Sequence, residues 1–151
     1  FGDIKTIMLD DSPTSWSELG TTLQTETESE RVYYLPPTAI PRNMVPGETV
    51  LFDRSAAYNP VVEFNSPIQK GSMTFVGMEV IDALGGTRLA CKFHTQITTD
   101  YPSIALTHNR QNTTWIDPTI GVLKAEIADI TNDGFGPGSR FTITATSYSR
   151  F

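Results

Sequence analysis

Hydrophobic and polar positions alternate most clearly in the middle of the chain. In Thr87–Ile97, Leu89, Cys91, Phe93, Thr95 and Ile97 alternate with Arg88, Ala90, Lys92, His94 and Gln96. A period of two over this length predicts a strand with one core face and one wet face. Met73–Ile81 reads the same way, and the loop Asp82-Ala83-Leu84-Gly85-Gly86 joins the two as an antiparallel hairpin. Ile4–Leu9, Val32–Leu35, Thr49–Phe52, Val61–Phe64, Ile104–Leu106 and Arg140–Tyr148 are shorter strand candidates. In the last of these, Phe141, Ile143 and Ala145 face one way, and Thr142, Thr144 and Thr146 the other.

Turn chemistry separates these runs. Asp10-Asp11-Ser12-Pro13, Asn59-Pro60, Pro67, Pro102 and Asn132–Ser139 supply the breaks. Residues 36–48 carry Pro36, Pro37, Pro41 and Pro46 and predict an extended connection, because proline has no N–H for a ladder. Thr25–Glu30 and Asn109–Thr114 read as polar loops or edges. Two segments are ambiguous. Trp16, Leu19 and Leu23 have helical spacing, weakened by Gly20. In Asp117–Ile130, an Asp-Pro start and apolar residues at helical spacing compete with alternation at Leu123, Ala125 and Ile127.

The expected fold is mainly β. It has antiparallel sheet(s) of about 7–9 strands, sandwich-like or a single large sheet, with at most one or two short helices. The alternative is an α+β arrangement with a C-terminal helix around 117–130. No composition shift or linker divides the chain, so residues 1–151 read as a single domain.

Composition sharpens this picture. Charged residues make up 19%, against an average near 25%, and twenty-one threonines fill the gap. Helical bundles and coiled coils do not have this composition. A net charge of −6 argues against a polybasic nucleic-acid arm, though not against a local basic patch. No apolar run is long enough to span a bilayer as a helix, so no membrane partner is expected. Phe1 in place of Met suggests a processed form, a fragment or a chain given without its first residues.

Catalytic and metal chemistry find little support. Cys91 is the only cysteine, so no internal disulfide forms, and its place in the alternation reads as a core thiol. Cys91 and His94 stand three residues apart, on opposite strand faces, which disfavours a nucleophile–base pair. No zinc-ligand spacing occurs. Asp129, Asn132, Asp133 and Gly134 lack the glutamate that an EF-hand needs, because Arg140 stands there. Asn112-Thr113-Thr114 matches a glycosylation acceptor, a pattern too short to carry weight. The expectation is a non-enzyme with no cofactor and no metal. One feature suggests contact with a partner: Arg88, Lys92, His94 and Gln96 form a row on the wet face of one strand. Such a row can meet phosphates from a rigid sheet, and a merely solvated strand face is the competing reading.

The opening Gly2-Asp3-Ile4-Lys5-Thr6-Ile7-Met8-Leu9, a turn, an acidic stretch and then Val32-Tyr33-Tyr34-Leu35-Pro36 resemble the start of single-stranded RNA bacteriophage coat proteins. The resemblance covers about the first quarter of the chain. It implies a five-stranded sheet plus hairpin, two C-terminal helices that interlock in a dimer, and a sheet face that holds RNA. The strand-like 141–151 stands where that family has helix. By the resemblance, Arg88, Lys92, His94 and Gln96 are candidates for facing RNA, and the alternation is their own support. The resulting expectation is a self-assembling coat or capsid subunit located in the virion, with itself and viral RNA as partners. The alternative is a monomeric β-sandwich carbohydrate-binding or adhesion module, with Trp16, Trp115 or the tyrosines as an exposed platform.

Overall fold

The computed structural model describes residues 4–24, 29–59, 66–130 and 140–145. It is mainly β. Nine strands follow one another in a single sheet in chain order: β1 (Ile4–Asp11), β2 (Ser15–Gln24), β3 (Ser29–Pro41), β4 (Thr49–Asn59), β5 (Ile68–Ala83), β6 (Gly86–Tyr101), β7 (Leu106–Asp117), β8 (Gly121–Asp129) and β9 (Arg140–Thr144). The only helical turn among the described residues is 3-10, at Pro102–Ile104. No helix among them is long and apolar enough to cross a membrane.

The ambiguous segments resolve as strand. Trp16–Leu23 lies in β2, where Trp16 stands opposite Ile40 of β3 and both are buried. The helix considered over 117–130 is not formed. Asp117 does accept hydrogen bonds from the Thr119 N–H (2.8 Å) and hydroxyl (2.7 Å), but it caps a turn rather than a helix. The Ile120 N–H closes back on the Asp117 carbonyl at 3.2 Å, and Gly121 begins β8. Leu123, Ala125 and Ile127 then bury on alternate positions, so the period-two reading prevails over the helical one.

The polar loop expected at Asn109–Thr114 is instead the middle of β7. Both of its faces carry polar residues, so no alternation marks it. The proline stretch also differs from expectation, since β3 runs through Pro36 and Pro37 to Pro41. The β2–β3 ladder breaks there, passing from Gly20↔Tyr33 to Glu18↔Thr38. Leu35, Pro36 and Pro37 lie exposed within that irregularity, where a missing N–H costs no ladder bond. The Val61–Phe64 strand, the Asn59-Pro60 turn, the Asn132–Ser139 loop and the end of the last strand fall wholly or partly outside the described residues.

Two compact units divide the contacts: residues 1–43, 52–70 and 99–107 form one, and 44–51, 71–98 and 108–151 the other. In the first unit, Trp16, Ile40, Ala56 and Pro67 are buried, and so is Arg54, whose side chain is 4% exposed. The Arg54 Nη1 donates to Glu18 Oε2 (2.9 Å) and Thr38 Oγ1 (3.0 Å), and its Nε donates to Gln69 Oε1 (3.0 Å). A buried charge needs this degree of pairing. In the second unit, Ala83, Ala90, Trp115 and Leu123 make a cluster joined by Ile81, Leu84 and Ile120. Phe75 packs on Phe93 with ring centres 5.3 Å apart.

The β5–β6 hairpin closes on Leu84 and Gly85, both with positive φ (54° and 73°). This is the geometry of a two-residue turn that matches strand twist. Asp82 accepts from the Thr87 hydroxyl at 3.4 Å, and Cys91 Sγ meets Met78 Sδ at 3.4 Å. One antiparallel register holds both contacts and sets Val80 opposite Leu89. The Leu84 N–H donates to the Ala145 carbonyl (3.2 Å), and the Ala145 N–H donates to that of Leu123 (2.7 Å). The tip of the hairpin thus reaches the end of β9.

Candidate nucleic-acid interface

The second unit places the row from β6 within a wider polar face. Three contacts share one β6–β7 register. Lys92 Nζ lies 5.1 Å from the centre of the Trp115 ring, and His94 Nδ1 is 3.0 Å from Thr113 Oγ1. The Thr98 hydroxyl donates to Asn109 Oδ1 at 2.8 Å. Gln96 therefore stands opposite Gln111. The register continues through Trp115↔Lys124, Thr113↔Glu126 and Gln111↔Ala128, then through Lys124↔Thr144, Glu126↔Thr142 and Ala128↔Arg140. Directly opposed residues share a face, so three cross-strand rows result. They read Lys92–Trp115–Lys124–Thr144, His94–Thr113–Glu126–Thr142 and Gln96–Gln111–Ala128–Arg140.

The first row is closed. Trp115 is 3% exposed, with Lys92 Nζ and Lys124 Nζ (4.4 Å) at its ring. Each lysine is also held by an acid: Lys92 by Glu79 at 2.8 Å and Lys124 by Glu126 at 2.6 Å. The hydrogen bond from Lys92 holds the Glu79 carboxyl below the usual carboxylate range. The other two rows are open. His94, Gln96, Gln111, Glu126, Arg140 and Thr142 are exposed and line a shallow groove.

The four residues expected on this face therefore have different settings. Arg88, Lys92, His94 and Gln96 do share one strand face, but Ala90, fully buried beneath Trp115, separates Arg88 from the rest. Lys92 is mostly spent on Glu79 and the indole. His94 and Gln96 remain at the open surface. Gln111, Thr113, Glu126, Arg140 and Thr142 join them from strands whose register no run of sequence displays. A cross-strand pattern was the missing signal, and Asn109–Thr114 conceals it by being polar on both sides.

The core face of β6 departs from expectation at one end. Phe93 and Thr95 are buried, but Leu89 is 56% exposed. The hairpin buries its Ala90 side against Trp115 and Leu123, which turns Leu89 outward. Cys91 is half-buried, and burial pushes its thiol pKa up, the opposite of an activated nucleophile. Asn112 is half-buried at the groove, and its Oδ1 is buried without a hydrogen-bond partner among the described residues. No group of three metal-ligating side chains occurs among the described residues. Trp16 and Trp115 are 6% and 3% exposed, so neither indole can serve as a platform. Compared with known proteins, the chain matches no family model, no curated sequence and no solved structure.

Proposed function

We propose that the chain is a self-assembling coat subunit of a virion, with the open rows of its second unit turned towards RNA. The observation that carries this reading is apolar surface left uncovered on regular strands and turns. Leu51 is 78% exposed, Val80 62%, Val45 59%, Leu89 56% and Met78 53%. Contiguous apolar surface of this kind marks a contact with another protein, and Met78, Val80 and Leu89 lie together on one face of the β5–β6 hairpin. The polar face supports the second half of the reading. Glu79 and Glu126 neutralise the two lysines, and the groove offers amides, hydroxyls, His94 and Arg140 beside the lysine-paired Glu126 carboxylate. Such a surface suits close, short-range contacts rather than long-range capture of phosphate, in keeping with a net charge of −6.

The carbohydrate-binding alternative loses its two tryptophans to the core. The test is light scattering after size exclusion, with electron microscopy of the purified chain, at several salt concentrations and with and without single-stranded RNA. The expected result is discrete oligomers or shells. A chain that stays monomeric throughout overturns the reading.

A further inference from the structure

The rung that pairs Met78 with Cys91 lies where the β5–β6 hairpin passes from open surface to core. Along β6, Leu89 is 56% exposed, Cys91 half-buried and Phe93 3% exposed. Opposite Cys91 on β5 stands Met78, 53% exposed, its Sδ 3.4 Å from the thiol Sγ. Met73, earlier in the same strand, is 7% exposed, and Met44 is half-buried. Of these three methionines only Met78 is open to solvent.

Two sulfurs on one rung compete for an oxidant. A cysteine reacts through its thiolate, the form that attacks peroxide. Cys91 is poorly placed to do so. Its S–H is engaged with the Met78 thioether, and burial, followed by the Asp117 charge, keeps the thiol protonated. A thioether carries no proton to lose, so Met78 needs no such activation.

We infer that Met78 is a modification site for hydrogen peroxide, converted to the sulfoxide ahead of Cys91. The Sδ lone pair attacks one peroxide oxygen, the O–O bond breaks and an S–O bond forms. The sulfur is oxidised by one electron pair, the peroxide is reduced, and its other oxygen leaves as water. The change exchanges an apolar side chain for a polar one and is reversible by sulfoxide reductases. It falls one rung from Val80 and Leu89 on the same strand face, both more than half exposed. Oxidation therefore makes polar the patch assigned above to contact between subunits, and loosens the assembly. That consequence rests on the coat reading, whereas the site itself does not.

The test treats the full native chain with hydrogen peroxide at neutral pH and locates the added oxygen by fragment-ion mass spectrometry. Met73 and Met78 share one tryptic peptide, Gly71–Arg88, which compares them within one molecule. Met78 is expected to gain oxygen about ten times faster than Met73, and before any appears on Cys91. Equal rates at the two methionines, or oxygen on Cys91 first, overturn the inference. Light scattering reads the consequence. With an unchanged circular dichroism spectrum, peroxide is expected to weaken self-association about tenfold in the native chain and to leave that of Met78→Leu at its untreated level. If the native chain assembles and its Met78 sulfoxide form assembles equally well, the loosening is wrong while the coat reading stands. If the native chain never associates, the coat reading falls and the mass spectra alone decide the site.

Discussion

The guanidinium carbon of Arg54 lies 3.6 Å from the centre of the Tyr34 ring, on the β3 strand next to its own. The same group bonds Glu18 and Thr38 and lies 4.8 Å from the Phe52 ring. One side chain thus ties together β2, β3, β4 and β5, since Gln69 belongs to the last. Removing one member of a buried pair strands the other. Arg54→Ala is expected to lose about 3–5 kcal/mol in urea unfolding. Glu18→Gln, which keeps an acceptor and is partly solvated, should lose less than half of that. Equal losses would show that the Glu18 charge alone accounts for the arginine's contribution, and that Thr38, Gln69 and the rings add nothing.

Tyr34 is partly buried beside that cluster, and its phenol pKa is pushed up to about 12, first by burial and then by Glu18, against the opposing effect of Arg54. The neutral phenol is therefore favoured in the folded chain. Its contribution is complete below about pH 10, where the unfolded phenol titrates, and is lost as the pH rises towards 12. The loss is on the order of 2 kcal/mol at most. Ultraviolet titration of the folded protein should show tyrosine ionisation extending well above the ordinary phenol range, and Tyr34→Phe should remove the last step.

Gly85 and Gly86 sit side by side at the hairpin tip, yet only Gly85 has a positive φ (73°). A Cβ at either position meets nothing within 4 Å, so backbone conformation alone separates them. Gly85→Ala is expected to cost about 1 kcal/mol, whereas Gly86→Ala should be neutral or slightly stabilising. Thermal unfolding of the two variants reads the contrast, which disappears if the tip does not use the positive-φ turn.

Both indoles are buried, and Trp115 anchors the second unit's cluster with Ala83, Ala90 and Leu123. Fluorescence of the native chain should resist quenching by iodide. Trp115→Ala should cost about 3–5 kcal/mol. It should also release Lys92 and Lys124 from the ring, so a native-like stability in that variant would contradict the packing.

Cys91 should react slowly with iodoacetamide at neutral pH. Its thiol is half-buried against Met78, and burial keeps it protonated. A rate at or above that of a free cysteine would show a thiolate that this environment does not support.

Much of the fold was legible in residue order. The Asp82–Gly86 turn and the two runs around it formed the hairpin that their alternation predicts. The β reading also held where helical spacing competed, because Leu123, Ala125 and Ile127 bury on one face of β8. What stayed illegible has a common cause. Asn109–Thr114 lies within β7 but is polar on both faces, and Pro36-Pro37 lies within β3 but at a break in its ladder. In both cases neighbouring strands supplied the partners that make a strand, and neither segment carries a record of them.

The candidate site divides the same way. Alternation alone established that Arg88, Lys92, His94 and Gln96 share a face, because strand geometry is local. It could not say which parts of that face meet water. The hairpin tip bonds Ala145, and Trp115 settles over Ala90, so the Arg88 end closes while His94 and Gln96 stay open. For the same reason Leu89, apolar and in the core register, ends outside. Period-two patterning sorts side chains onto two faces. Which face is covered depends on contacts with residues far along the chain, and only the tertiary structure decided those.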